Sequence, residues 1–163
     1  MSFKKILIGV DFTEVTGALL HLGTDLAKQG DASIRLLHTA PPTAGYVYYM
    51  PGIGYDNIVG FGLEAHIDSE VESVKIEHDK HALEAIQNQF VENKIPTSIA
   101  LLSGDPATTI INEAKSFKAD LIIIGSHRHG FFYNLMFGSV ENKILRESRI
   151  PILVVPSNPI SKE

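Results

Sequence analysis

The segment DLIIIGSHRHGFFYNLMFGSVENKIL, residues 120–145, carries a complete strand-to-helix junction. Its opening, DLIIIG, is apolar without alternation, the pattern of a strand covered on both faces. Gly125 closes that run. Gly138 and Ser139 then precede a helical pattern, Val140, Ile144 and Leu145, which Pro151 prevents from continuing. Elsewhere in the chain four more runs have the same character: KILIGV at 5–10, SIRLLHT at 33–39, TSIALLS at 97–103 and IPILVV at 150–155.

Helical patterns separate these runs. Val15, Ala18, Leu19, Leu22 and Leu26 follow the spacing that lays one apolar stripe on a sheet, and Gly30 supplies a stop. Ile67, Val71, Val74, Ala82, Ala85 and Phe90 mark a long second helix. Ala107, Ile110, Ile111 and Ala114 mark a third, with Asp105 placed to cap it and Pro106 at its first position. Strand and helix alternate throughout, which predicts an α/β, doubly wound sheet with right-handed crossovers. Periodicity does not give the strand order. The stretch 41–62 has no period and holds five glycines and four tyrosines, so it is expected to be a flexible loop after the second strand.

Bulk properties narrow the function classes. A chain of 163 residues suits a single domain spanning 1–163. With 14 basic against 19 acidic residues, the formal charge of −5 offers no field for a nucleic-acid backbone. The absence of cysteine removes disulfides, thiolate metal sites and cysteine nucleophiles. The opening MSFKKILIGVD is interrupted by Asp11 well below signal-peptide or membrane-span length, so no membrane association and a cytoplasmic location are expected.

Ligands of open α/β sheets sit beyond the carboxyl ends of the strands, so the junctions GVDFTE and 125–140 are the places to look for chemistry. Glycines permit close backbone approach, and a helix amino terminus presents unpaired N–H groups, which together suit a phosphate chain. Each candidate has a plainer reading as well. Asp11 can cap the first helix with Thr13, and Gly138 with Ser139 can be a turn and a cap. The pairs His78/His81 and His127/His129 read as surface or packing residues rather than metal ligands, although His127 and His129 lie where an imidazole can hold a phosphate. The run from Phe131 to Phe137 is either packing beneath the loop or a protein contact.

At this point the sequence resembles the universal stress proteins, the UspA family, and within it the ATP-binding subgroup. The nucleotide-binding pattern is Gly, two residues, Gly, nine residues, then Gly with Ser or Thr. Here it reads Gly125, two residues, Arg128, nine residues, Gly138 and Ser139, with Arg128 in place of one glycine. KKILIGVDFTE, LLHTA, GDPATTI and RIPILVVP extend the resemblance along the chain apart from 41–62. It implies a three-layer α/β/α domain of the adenine nucleotide alpha hydrolase-like kind, with a five-stranded parallel sheet in the order 3-2-1-4-5. It further implies that Asp11 accepts hydrogen bonds from the ribose or adenine side and that the backbone around Thr39 meets the adenine edge. Gly125, Gly138, Ser139 and Val140 would cradle the phosphates of ATP, with Mg2+ accompanying the nucleotide. Arg128 can pair with phosphate oxygens bidentately, and Gly130 can take the sharp turn. A homodimer through the last strand, residues 151–155, is implied too.

Three functions compete. The first is a nucleotide-binding stress-response module with no catalytic residue, and the second a slow ATP hydrolase that positions water with Asp11, His127 or His129. The third is a family member that works by protein contacts alone, with Arg128 marking the loss of nucleotide.

Overall fold

The computed structural model describes residues 2–40, 69–126 and 139–156. Strands and helices alternate as Lys5–Gly9 (β1), Thr16–Gly30 (α1), Ser33–Ala40 (β2), Ser69–Glu92 (α2), Thr97–Ser103 (β3), Pro106–Phe117 (α3), Leu121–Ser126 (β4), Ser139–Glu147 (α4) and Ile152–Pro156 (β5). All strand pairs are parallel, in the order β3-β2-β1-β4-β5. The 41–62 loop expectation lies outside the described residues.

Continuous apolar strands pack on both faces. Alternate residues Ile6, Ile8, Ile34, Leu36 and Ile123 meet α1 and α2 through Leu19, Leu83, Ile86 and Phe90. Their neighbours Leu7, Leu37, Ile122 and Ile124 meet α3 and α4 through Ile110, Ile111 and Ile144. Each such side chain taken fully out of water contributes about 1.5–3 kcal/mol before the cost of chain ordering. The result is a three-layer α/β/α arrangement, as the family resemblance implies.

Local chemistry explains the helix ends. Asp105 caps α3, its carboxylate accepting from the Thr108 amide at 3.0 Å, with Pro106 in the first turn. At the end of α1 the left-handed residue is Asp31 (φ 50°), and its N–H reaches the Ala27 carbonyl. Gly30, expected as the stop, instead permits a close approach, since a Cβ there would lie 2.2 Å from the Phe3 carbonyl oxygen. Glycine is needed because the helix end presses on the chain leading into β1. In the described part of α2 the buried stripe is Asp79, Leu83, Ile86 and Phe90. Ala82 and Ala85, expected on that stripe from their spacing, lie off it, Ala82 half-buried and Ala85 exposed, because alanines fit either face and the larger side chains decide the rotation.

Candidate functional site

Strand order fixes where a crevice must open. From β1 the chain winds outward through β2 to β3 over the α1/α2 face, then returns to β4 and β5 over the α3/α4 face. The direction reverses between β1 and β4, so the connections that leave their carboxyl ends run to opposite faces of the sheet, the position at which open α/β sheets form a ligand cleft. Asp11, Thr39, Gly125 and Val140 all come from strand ends or helix starts on this side of the sheet.

The turn after β1 is built around Asp11. Its exposed carboxylate accepts from the Thr13 hydroxyl at 2.7 Å and from the Thr13 amide at 3.3 Å, an Asx-type turn. Asp11 therefore does not cap α1, which starts at Thr16 with Val15 in the cap position and no side-chain cap bond. Phe12 takes the left-handed conformation (φ 58°), an unusual place for an aromatic residue. Its ring lies on His38 of β2, centroids 4.5 Å apart. His38 Nδ1 is 2.7 Å from the Val10 carbonyl oxygen, and its Nε2 is 3.6 Å from Asp79 of α2.

Beside this turn two hydroxyls are buried without a hydrogen-bond partner among the described residues, those of Thr39 and Thr16. Thr39 pairs with Leu102 in the β2/β3 ladder, and alternation turns it to the α3/α4 face, opposite to His38. Leaving a buried hydroxyl without a partner costs about 1–3 kcal/mol. Gly125 has a packing reason to be glycine, since a Cβ would sit 2.4 Å from Val15 Cγ1. Its lack of a side chain brings β4 against the start of α1.

On the far side of the cleft, Lys143 of α4 donates to Asp105 at 2.9 Å and to the Thr108 hydroxyl at 2.8 Å. Hydrogen bonds from Thr108, then from Lys143, hold the Asp105 carboxyl well below the usual carboxylate range, and Asp105 in turn raises the Lys143 ammonium. Gly104 adopts φ 146° and its amide reaches the Ala40 carbonyl at 3.2 Å, tying the α3 start to the end of β2.

Ser139 is the first residue of α4, and Val140 packs with the α3/α4 core. Arg128, Gly130, Gly138, His127, His129 and the Phe131–Phe137 run lie outside the described residues. Pattern reading passed over Phe12, His38, Asp79 and the Thr39 hydroxyl. A signal existed for two of them: His38 and Thr39 are adjacent polar residues that follow the apolar pair Leu36 and Leu37 near the end of β2.

A family model described as universal stress protein family matches residues 2–156. Universal stress protein YxiE of Bacillus subtilis is 26% identical over 153 residues, covering 94% of this chain and 99% of that protein. Universal stress protein UspA from Lactobacillus plantarum superposes with a TM-score of 0.69 at 21% identity, covering 95% of this chain and 99% of that one. The Archaeoglobus fulgidus universal stress protein solved in complex with dAMP gives 0.61 at 16% identity, over 95% of this chain and 99% of that one. Sheet order, layer arrangement and a match along nearly the whole sequence agree, and this chain belongs to the universal stress protein family.

Proposed function

We propose that the protein is a stress-response module that binds an adenine nucleotide, ATP with magnesium, in the cleft between β1 and β4 and acts as a cytoplasmic homodimer. The observation that carries this reading is the Thr39 hydroxyl, buried and without a partner among the described residues at the carboxyl end of β2. A bound base or ribose would give that hydroxyl a partner. Asp11, exposed at the end of β1, offers carboxylate acceptance to ribose or adenine groups. A relative of the same fold is described in complex with dAMP, the same class of ligand.

Gly125, Arg128, Gly130, Gly138, Ser139 and Val140 would receive the phosphates, with the first amides of α4 contributing their dipole end. Among the described residues no group of three or more His, Asp or Glu side chains could hold a metal ion, so magnesium would enter on the phosphates. Among the same residues no helix is long and apolar enough to cross a membrane. Lacking a catalytic residue, the module would act by favouring one conformation that a partner reads. β5 pairs with β4 on one side, and Ile152, Leu153 and Val154 are only half-buried, which suits pairing with the same strand of a second copy.

Calorimetric titration with Mg·ATP tests the reading. Wild type is expected to bind and Asp11→Ala to lose about tenfold or more in affinity. No heat and no thermal stabilisation at millimolar nucleotide would reject it, and a monomer in sedimentation equilibrium would reject the dimer. Steady-state turnover that disappears in Asp11→Ala would instead establish the slow hydrolase.

A further inference from the structure

We infer that His38 is a positioning residue for Asp11, fixing the turn that presents the carboxylate to the ligand. The inference rests on the reading of the β1/β4 cleft as the nucleotide site. His38 holds the chain on both sides of Asp11. Its Nδ1 lies 2.7 Å from the carbonyl oxygen of Val10, the residue before Asp11. A carbonyl oxygen can only accept, so Nδ1 carries the proton and donates it. The ring also packs at 4.5 Å against Phe12, the residue after Asp11, whose left-handed backbone (φ 58°) needs outside support to persist.

Val10 lies just past the last residue of β1, where the paired ladders have ended. Its amide still reaches the Leu37 carbonyl at 2.8 Å, and the His38 ring then takes its carbonyl. Main chain and side chain of β2 thus secure successive groups of the same residue. The ring is fixed in turn: Asp79 of α2, itself buried, stands 3.6 Å from Nε2, too far for a hydrogen bond but close enough to restrict ring rotation. His78 is the other ring facing that carboxylate, at 3.4 Å. With Nδ1 committed to Val10 and Nε2 turned to α2, His38 has no nitrogen directed at a ligand. It acts through Asp11 and not as an acid or base.

Two variants separate the donor from the ring. His38→Asn keeps an N–H donor near the Nδ1 position, whereas His38→Leu keeps bulk without a donor. Amide hydrogen exchange without nucleotide reads the tether, and calorimetry with Mg·ATP reads its consequence. His38→Leu is expected to speed exchange at Val10 about tenfold while leaving Leu7 near wild type, as local opening would. It is also expected to weaken ATP about tenfold, with His38→Asn restoring both to within about threefold.

Unchanged Val10 exchange in His38→Leu overturns the inference, whatever nucleotide does. So does faster exchange with undiminished ATP affinity, and so does a His38→Asn variant as impaired as His38→Leu. Should His38→Leu not fold, a folded His38→Asn with more than about tenfold loss of affinity overturns it as well. If wild type itself ignores ATP while exchange at Val10 responds as expected, the tether stands and it is the nucleotide reading of the cleft that fails.

Discussion

The amino end of the sheet and the β1/β2 corner of its carboxyl end treat their polar groups in opposite ways. At the amino end, Asp120 accepts from the Lys4 and Lys5 amides at 2.8 and 3.0 Å, and the Lys4 ammonium donates to the Gly30 carbonyl at 2.8 Å. Further in, Arg35 meets Glu113 at 2.5 Å and Ser98 at 2.7 Å and lies over the Phe117 ring. At the carboxyl end, α1 starts without a side-chain cap, Phe12 is held in a left-handed turn, and two buried hydroxyls lack partners among the described residues. One end is closed by its own side chains and maintains the fold. The other leaves two buried hydroxyls without a partner among the described residues.

The largest effect should come from opening the closed end. Arg35→Leu leaves Glu113 buried without its partner, at an expected cost of about 3–5 kcal/mol in urea unfolding. Replacing both with apolar residues, Arg35→Met with Glu113→Met, should cost far less, because the desolvation of both charges is then avoided. Burial pushes the Glu113 carboxyl up in spite of Arg35. A raised folded-state value means that its titration favours the fold below the ordinary carboxyl range and disfavours it as pH rises through the folded value.

Next come two of the close glycines, one at each end. Gly30→Ala drives a Cβ into the Phe3 backbone, and Gly125→Ala into the Val15 side chain; each should destabilise by about 1–3 kcal/mol in thermal or urea unfolding. A side chain can be trimmed where a backbone cannot. Val15→Ala should therefore recover part of the Gly125→Ala loss, with a coupling of about 0.5–3 kcal/mol. Failure of that rescue would mean that Gly125 is glycine for another reason.

At the open end stability should behave differently. Thr39→Val removes a hydroxyl that has no partner among the described residues, so the protein without nucleotide should be unchanged or stabilised by up to about 1 kcal/mol, while ATP affinity falls. A clear loss of stability without nucleotide would show the hydroxyl to be structural and would remove the contrast between the ends. The smallest effect is expected at Asp105, which is exposed. Its carboxyl sits below the ordinary 3.8, so its stabilising contribution is present above that value and is lost as pH falls toward the folded one. Asp105→Asn should therefore be less stable than wild type near neutral pH, and the gap should close in acid, by unfolding followed from pH 7 downward.

Sequence pattern resolved the fold well because the strands are apolar on both faces and long helices separate them. LIII at 121–124 has no polar face, which already requires helices above and below. Strand order was out of reach of periodicity and came with the family resemblance. The site was legible only in part. Asp11 was visible as a carboxylate ending an apolar run, with Thr13 beside it, but its separation from the α1 cap was not, since an Asx turn and an N-cap use the same residues. His38 was passed over because its role depends on contacts with Val10, Phe12 and Asp79, which lie far from it along the chain. Gly125 was read as room for a phosphate to approach the backbone, whereas the close approach of Val15 is a tertiary fact that no spacing reveals.

Amide chemical-shift mapping of the protein titrated with Mg·ATP confronts the nucleotide reading head-on. Saturable shifts are expected at Asp11, Thr39, Gly125 and Val140, with Lys4, Arg35 and Asp120 at the closed end unmoved. Shifts confined to that closed end, or no saturable shifts at millimolar nucleotide, would contradict it.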